Sequence, residues 1–128
     1  MKGLHFFRVF VLAAGWLLLV TVVAAQPKLT NGVFTDQKGM SLYWSDNDAT
    51  LGPGKSACEG ACTLSFPPFR AKKGAKATGD FSIIKRDDGA GQWAYKGRPL
   101  YFWHDDKKPG DKGADEFRRG VYHVAKPY

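Results

Sequence analysis

The segments Lys38–Asp48 and Lys96–Asp106 share one pattern, Lys-Gly-x-x-Leu-Tyr-x4-Asp, and lie 58 positions apart without a gap. After its final Asp each copy meets a Pro-Gly pair, Pro53-Gly54 and then Pro109-Gly110. A repeat constrains a fold more than any local propensity, because both copies must find equivalent environments. Two copies are too few to stack as a solenoid. The pattern therefore predicts one small domain built from two related halves, at about residues 28–68 and 81–128.

Each copy reads as a strand. Alternation places Leu42 and Trp44 on one face with Tyr43 and Ser45 on the other, and Leu100 and Phe102 opposite Tyr101 and Trp103. The run Leu29–Thr35, the turn signal Asp36–Gly39 and the strand Met40–Ser45 read as one hairpin. Gln92–Tyr95, Lys96-Gly97 and Pro99–His104 read as a second, with Pro99 at a strand start or edge. Phe81–Arg86 and Arg119–Ala125 complete the strands, with Val121 and His123 opposite Tyr122 and Val124. Asp46–Pro68 and Asp105–Arg119 read as irregular, apart from a single helical turn at Glu59–Cys62, and no segment has amphipathic helical periodicity. The fold class is mainly β: a small antiparallel β domain with two hairpin-containing halves and long irregular loops.

Residues 1–25 read differently. Lys2, His5 and Arg8 precede an apolar run from Val9 to Val23, and small residues lead up to Gln26. That is the layout of a secretory signal peptide, too short to span a bilayer, and it predicts a periplasmic or secreted domain at 26–128 with no stable membrane anchor after cleavage. Lys2 and Arg8 leave with it, so the net charge falls from +7 to +5. Such an excess suits contact with an anionic envelope polymer, although solubility alone would also account for it. A nucleic-acid role is not expected: the basic residues are scattered, Arg70–Lys76 being the one cluster, and no nucleic-acid-binding motif accompanies them.

Cys58 and Cys62 are the only cysteines. In an exported chain the default is a disulfide. A redox pair or a two-thiolate metal site is an alternative, while Thr63 stands where a covalent haem motif would need His. His104 and His123 could converge with Asp105 or Asp106 on a metal, or simply pack at the surface. Asp46-Asn47-Asp48 fails as a calcium loop, since Leu51 and Ala57 replace its required Gly and Glu. The acidic loop Asp105, Asp106, Asp111, Asp115 and Glu116 reads as solvated. For the repeat's own Tyr43, Asp48, Tyr101 and Asp106 there are two readings. In one, each Asp caps the adjoining turn while each Tyr fills the core. In the other, the four form a ligand platform. There is no nucleophile elbow, phosphate loop or zinc-protease helix.

Together with the repeat, Gly54-Lys55-Ser56-x-Cys58-x3-Cys62, Phe66-Pro67-Pro68, Arg86-Asp87-Asp88-Gly89-x2-Gln92-Trp93 and Val121–Val124 resemble the bacterial secreted repeat of unknown function. This is a family of predicted lipoproteins with a Tyr-x4-Asp motif. The resemblance implies export, the two-copy architecture and the Cys58–Cys62 disulfide, and it implies no activity. Two departures stand out. The lipid-accepting Cys is missing, and Phe66 and Tyr122 stand where the family commonly has Trp. The sequence thus predicts an exported, non-enzymatic β module without a cofactor, acting by binding or as an envelope component. A periplasmic metal or redox accessory protein is the alternative, and a cell-wall glycan hydrolase a third class.

Overall fold

The computed structural model describes residues 3, 13–16 and 25–128, so most of the expected signal segment 1–25 lies outside the described residues. The domain opens with a tight hairpin, β1 (Lys28–Thr30) and β2 (Val33–Thr35), paired antiparallel with Leu29 opposite Phe34. Asn31-Gly32 makes its turn with φ of 49° and 82°. Asn and Gly tolerate this left-handed pair best, and the twist of such a turn matches that of the strands it joins. The sequence predicts an unbroken run there, with the turn at 36–39. Both turns exist: Asp36 Oδ1 accepts the Lys38 and Met40 N–H groups, and a bridge from Thr35 to Ser41 carries the pairing on.

The first repeat strand, β3 (Tyr43–Ser45), pairs with the last strand, β8 (Tyr122–Val124). A four-stranded sheet holds β4 (Arg70–Ala71), β5 (Phe81–Lys85), β6 (Gly91–Tyr95) and β7 (Arg98–Pro99). Central β6 pairs with all of β5 along one edge and with β4 and β7 on the other. The Lys96-Gly97 turn joins β6 to β7 as the sequence predicts, with φ of 46° and 79°. Three short helical segments interrupt the loops: α1 (Asp46–Ala49), α2 (Cys62–Ser65) and a 3-10 segment at Gly113–Gly120. The turn expected at Glu59–Cys62 forms, with the Cys62 N–H donating to the Glu59 carbonyl, and runs on into α2, while part of the supposed polar loop 105–119 is helical. None has the length to show periodicity. α1 exists because Ser45 caps it, accepting the Asn47 N–H.

The two repeat copies cross at one pair of equivalent residues. Tyr43 and Tyr101 form an antiparallel bridge, each N–H donating to the other's carbonyl at 2.8 and 2.9 Å. Antiparallel pairing of equivalent residues places a local two-fold axis between them. The alternation of the repeat strands then splits the core as the sequence predicts. Leu42, Trp44 and Leu100 join Phe34, Trp93 and Tyr95 in one cluster, while Tyr43 and Tyr101 join Phe66, Tyr122 and Val124 in the other. Phe66 and Tyr122 stack face to face with centroids 3.4 Å apart. The two-fold extends to the turns. A Cβ at Gly97 would lie 2.8 Å from the Pro53 side chain, and one at Gly39 would lie 3.3 Å from that of Pro109. The Lys-Gly turn of each copy therefore rests on the proline of the other.

Candidate functional site

The repeat's Tyr and Asp side chains also pair across the two-fold. Tyr43 Oη donates to Asp106 Oδ2 at 2.5 Å, and Tyr101 Oη donates to Asp48 Oδ2 at 2.6 Å. Asp48 also accepts the Ala57 N–H, and Asp106 that of Gly113. Neither Asp caps its own turn. Each bridges the partner copy's tyrosine to a backbone amide further along its own chain. Both phenols are pushed far above their ordinary range, first by burial and then by the carboxylate each one faces. They remain protonated donors. Asp48 is raised by burial, against the opposing pull of Tyr101, Ala57, Arg86 and Arg98.

The two clasps differ in what surrounds them. Around Tyr101–Asp48 the hydroxyl also meets Ser56 Oγ at 2.6 Å. Ser56 Oγ in turn accepts from Arg86, a residue 4% exposed that donates further to Gln92 Oε1, the Cys58 carbonyl and Glu59 Oε2. Gln92 continues to the Leu100 carbonyl. A buried charge needs such partners, and of the three guanidinium nitrogens of Arg86 only Nε has no hydrogen-bond partner among the described residues. The sequence presents Arg86 and Gln92 only as letters of the family pattern. A charged residue at a strand end normally reads as solvated, and nothing local shows that it turns inward. Among the described residues, the partners found for the Tyr43–Asp106 clasp are backbone groups, at Gly113 and Ala114.

Beside the decorated clasp lies a cleft of about 500 Å³. Trp44, Asp48 and Pro99 form its floor, and Pro53, Lys96, Arg98 and the tail Lys126–Tyr128 rise around it. The Arg98 guanidinium stacks over Trp44 at 4.2 Å, and Lys96 Nζ lies 4.4 Å from the Tyr128 ring. Trp44 and Tyr95 hold the Tyr128 ring edge-on at 5.7 and 5.6 Å.

The other sequence-predicted residues are placed as follows. Cys58 and Cys62 are joined in a disulfide, so they are not a pair of thiolates for a metal. His123 Nε2 pairs with Asp46 at 2.8 Å, whereas His104 contacts Asp105 at 3.1 Å and the Ser65 carbonyl at 3.3 Å. The two histidines thus engage different partners, and no group of three metal-ligating side chains occurs among the described residues. The acidic loop is not simply solvated: Asp106 holds Gly113, Asp111 holds Lys107 and Lys108, and Asp115 holds Val124 through their backbone N–H groups.

A small antiparallel β domain clasped by a doubled Tyr–Asp motif is the class these features define. Residues 82–126, spanning the second copy, match the model of a family described as a secreted repeat of unknown function. No curated protein and no solved structure matches the chain. Among the described residues no helix is long and apolar enough to cross a membrane.

Proposed function

We propose that the chain is an exported, non-catalytic module that binds an anionic polymer of the cell envelope from the periplasmic or extracellular side. One observation carries the reading. The motif's carboxylates are occupied internally by tyrosines, while Lys96, Arg98 and Lys126 stand around a cleft on the decorated half. A catalytic pair of carboxylates would need acids free to face a substrate, and Asp48 and Asp106 are each committed to a tyrosine and an amide. The excess positive charge over residues 26–128 supplies longer-range attraction.

The test is co-sedimentation of the purified protein with insoluble cell wall. Retention at low salt that is lost at high salt supports the reading, because attraction between exposed charges is screened. Failure to sediment at low salt, or release of soluble sugar from the pellet, would overturn it.

A further inference from the structure

We infer that the cleft between the Lys96-Gly97 turn and the Lys126–Tyr128 tail is a binding site for a carboxylate-bearing sugar ring, such as a uronic acid unit of an acidic polysaccharide. The inference rests on the binding-module reading and names the ligand class of that cleft. A volume of about 500 Å³ is in the range of small-molecule sites. Its walls offer two kinds of chemistry in one place. Pro53, Pro127 and the Tyr128 ring present apolar surface suited to the C–H face of a pyranose. Tyr128 is 65% exposed, yet its ring is fixed by contacts to Trp44 and Tyr95, which makes it a plate rather than a mobile tail residue.

Arg98 supplies the anion partner. Its packing over Trp44 at 4.2 Å braces the guanidinium, its ion pair with Asp46 is long at 3.8 Å, and buried Asp48 is its other acidic neighbour. A fork of N–H donors held in that way suits a carboxylate. Lys96 and Lys126 add charge at the exposed rim. The acceptors facing the cations are Asp46, buried Asp48, which is already bonded to Tyr101 and Ala57, and the Tyr128 main-chain oxygen, which takes Lys96 Nζ at 2.6 Å, so Arg98 and Lys126 carry the excess charge. Charge complementarity therefore favours an anion, and the apolar walls favour one carried on a ring.

The repeat supplies an internal comparison. The two-fold relates Arg98 to Met40 and Trp44 to Phe102, so the duplicated framework does not duplicate the cation or its stacking partner. The Lys-Gly turn and proline wedge are common to both halves and are explained by folding. Arg98 on Trp44 is particular to one half and is not required by the framework.

The experiment is an NMR titration of the folded protein at physiological salt with trigalacturonate, maltotriose and tripolyphosphate. The expected result is that trigalacturonate shifts the Trp44, Gly97, Arg98 and Tyr128 signals and binds at least about tenfold tighter than either of the others. Arg98→Gln and Tyr128→Ala, each retaining the wild-type spectrum elsewhere, should weaken it about tenfold, while Lys72→Gln should not. Equal binding of tripolyphosphate would overturn the inference in favour of a general cationic surface, and equal binding of maltotriose would remove the role of Arg98. If cell-wall retention persists in both variants, the cleft assignment fails while the binding-module reading stands. If the wild type neither sediments nor titrates, both fail.

Discussion

Replacing Tyr101 by Phe should destabilise the domain more than the equivalent change at Tyr43, although the two positions are identical in the repeat. The Tyr101 hydroxyl lies 2.6 Å from both Asp48 and Ser56. Asp48 is 2% exposed, so its carboxylate cannot recover the lost donor from solvent. A hydrogen bond to a charged group contributes about 1.5–3 kcal/mol, and stranding a buried acceptor lies toward the upper end, so we expect about 3 kcal/mol for Tyr101→Phe. Asp106 is half-buried and open to replacement water, which places Tyr43→Phe nearer about 1.5 kcal/mol. A domain of this size has about 5–15 kcal/mol in total, so both variants should fold. In urea unfolding followed by tryptophan fluorescence, the midpoint should fall by about 2 M for Tyr101→Phe and about 1 M for Tyr43→Phe, with an unchanged slope. The Tyr101 penalty should also depend on pH. The hydroxyl favours ionised Asp48, whose pKa burial raises. The loss should therefore be greatest where Asp48 is ionised in the native protein and shrink as pH falls through its titration. Equal penalties at the two positions, or a Tyr101 penalty independent of pH, would refute the account.

Two further outcomes follow from the same geometry. Gly97→Ala should cost more than Gly79→Ala: both have positive φ, but a Cβ at Gly97 meets Pro53 at 2.8 Å whereas Gly79 has open space. The backbone term of about 1–2 kcal/mol is common to both, and crowding against proline adds about 1–3 kcal/mol at Gly97, read from thermal unfolding. At alkaline pH, Tyr43 and Tyr101 should resist titration in the native state, so absorbance at the phenolate band should show these two tyrosines ionising only with unfolding. Because their folded pKa values are raised, native stability is intact below the unfolded value near 10. Above it, stability should fall by about 1.4 kcal/mol per pH unit for each of the two, and Tyr43→Phe or Tyr101→Phe should lower the slope by about that amount.

Much of the fold was legible because it depends on local rules. Strand alternation sorted Leu42, Trp44 and Leu100 from Tyr43 and Tyr101 onto opposite faces, and the two clusters of the core follow that division. Lys96-Gly97 marked its hairpin, since few residue pairs accept two successive positive φ values. The same rule applies at Asn31-Gly32, where the continuous β-forming residues on either side masked the turn.

What the sequence determined by itself was that two equivalent extended segments exist and which faces they bury. Only the first is a strand, β3, since β7 ends at Pro99 and Tyr101 makes isolated bridges in place of the expected strand Pro99–His104. The sequence did not determine which tyrosine meets which aspartate. A Tyr-x4-Asp spacing is compatible with each Asp capping its own turn, and the alternative partner lies 63 or 53 residues away. The antiparallel crossing at Tyr43 and Tyr101 decided between them, because it sends each hydroxyl toward the other copy's loop. The inward turn of Arg86 and the stacking of Arg98 on Trp44 were settled in the same way. Each charge takes its place from partners distant in sequence, and no periodicity or spacing encodes a contact that only chain closure creates.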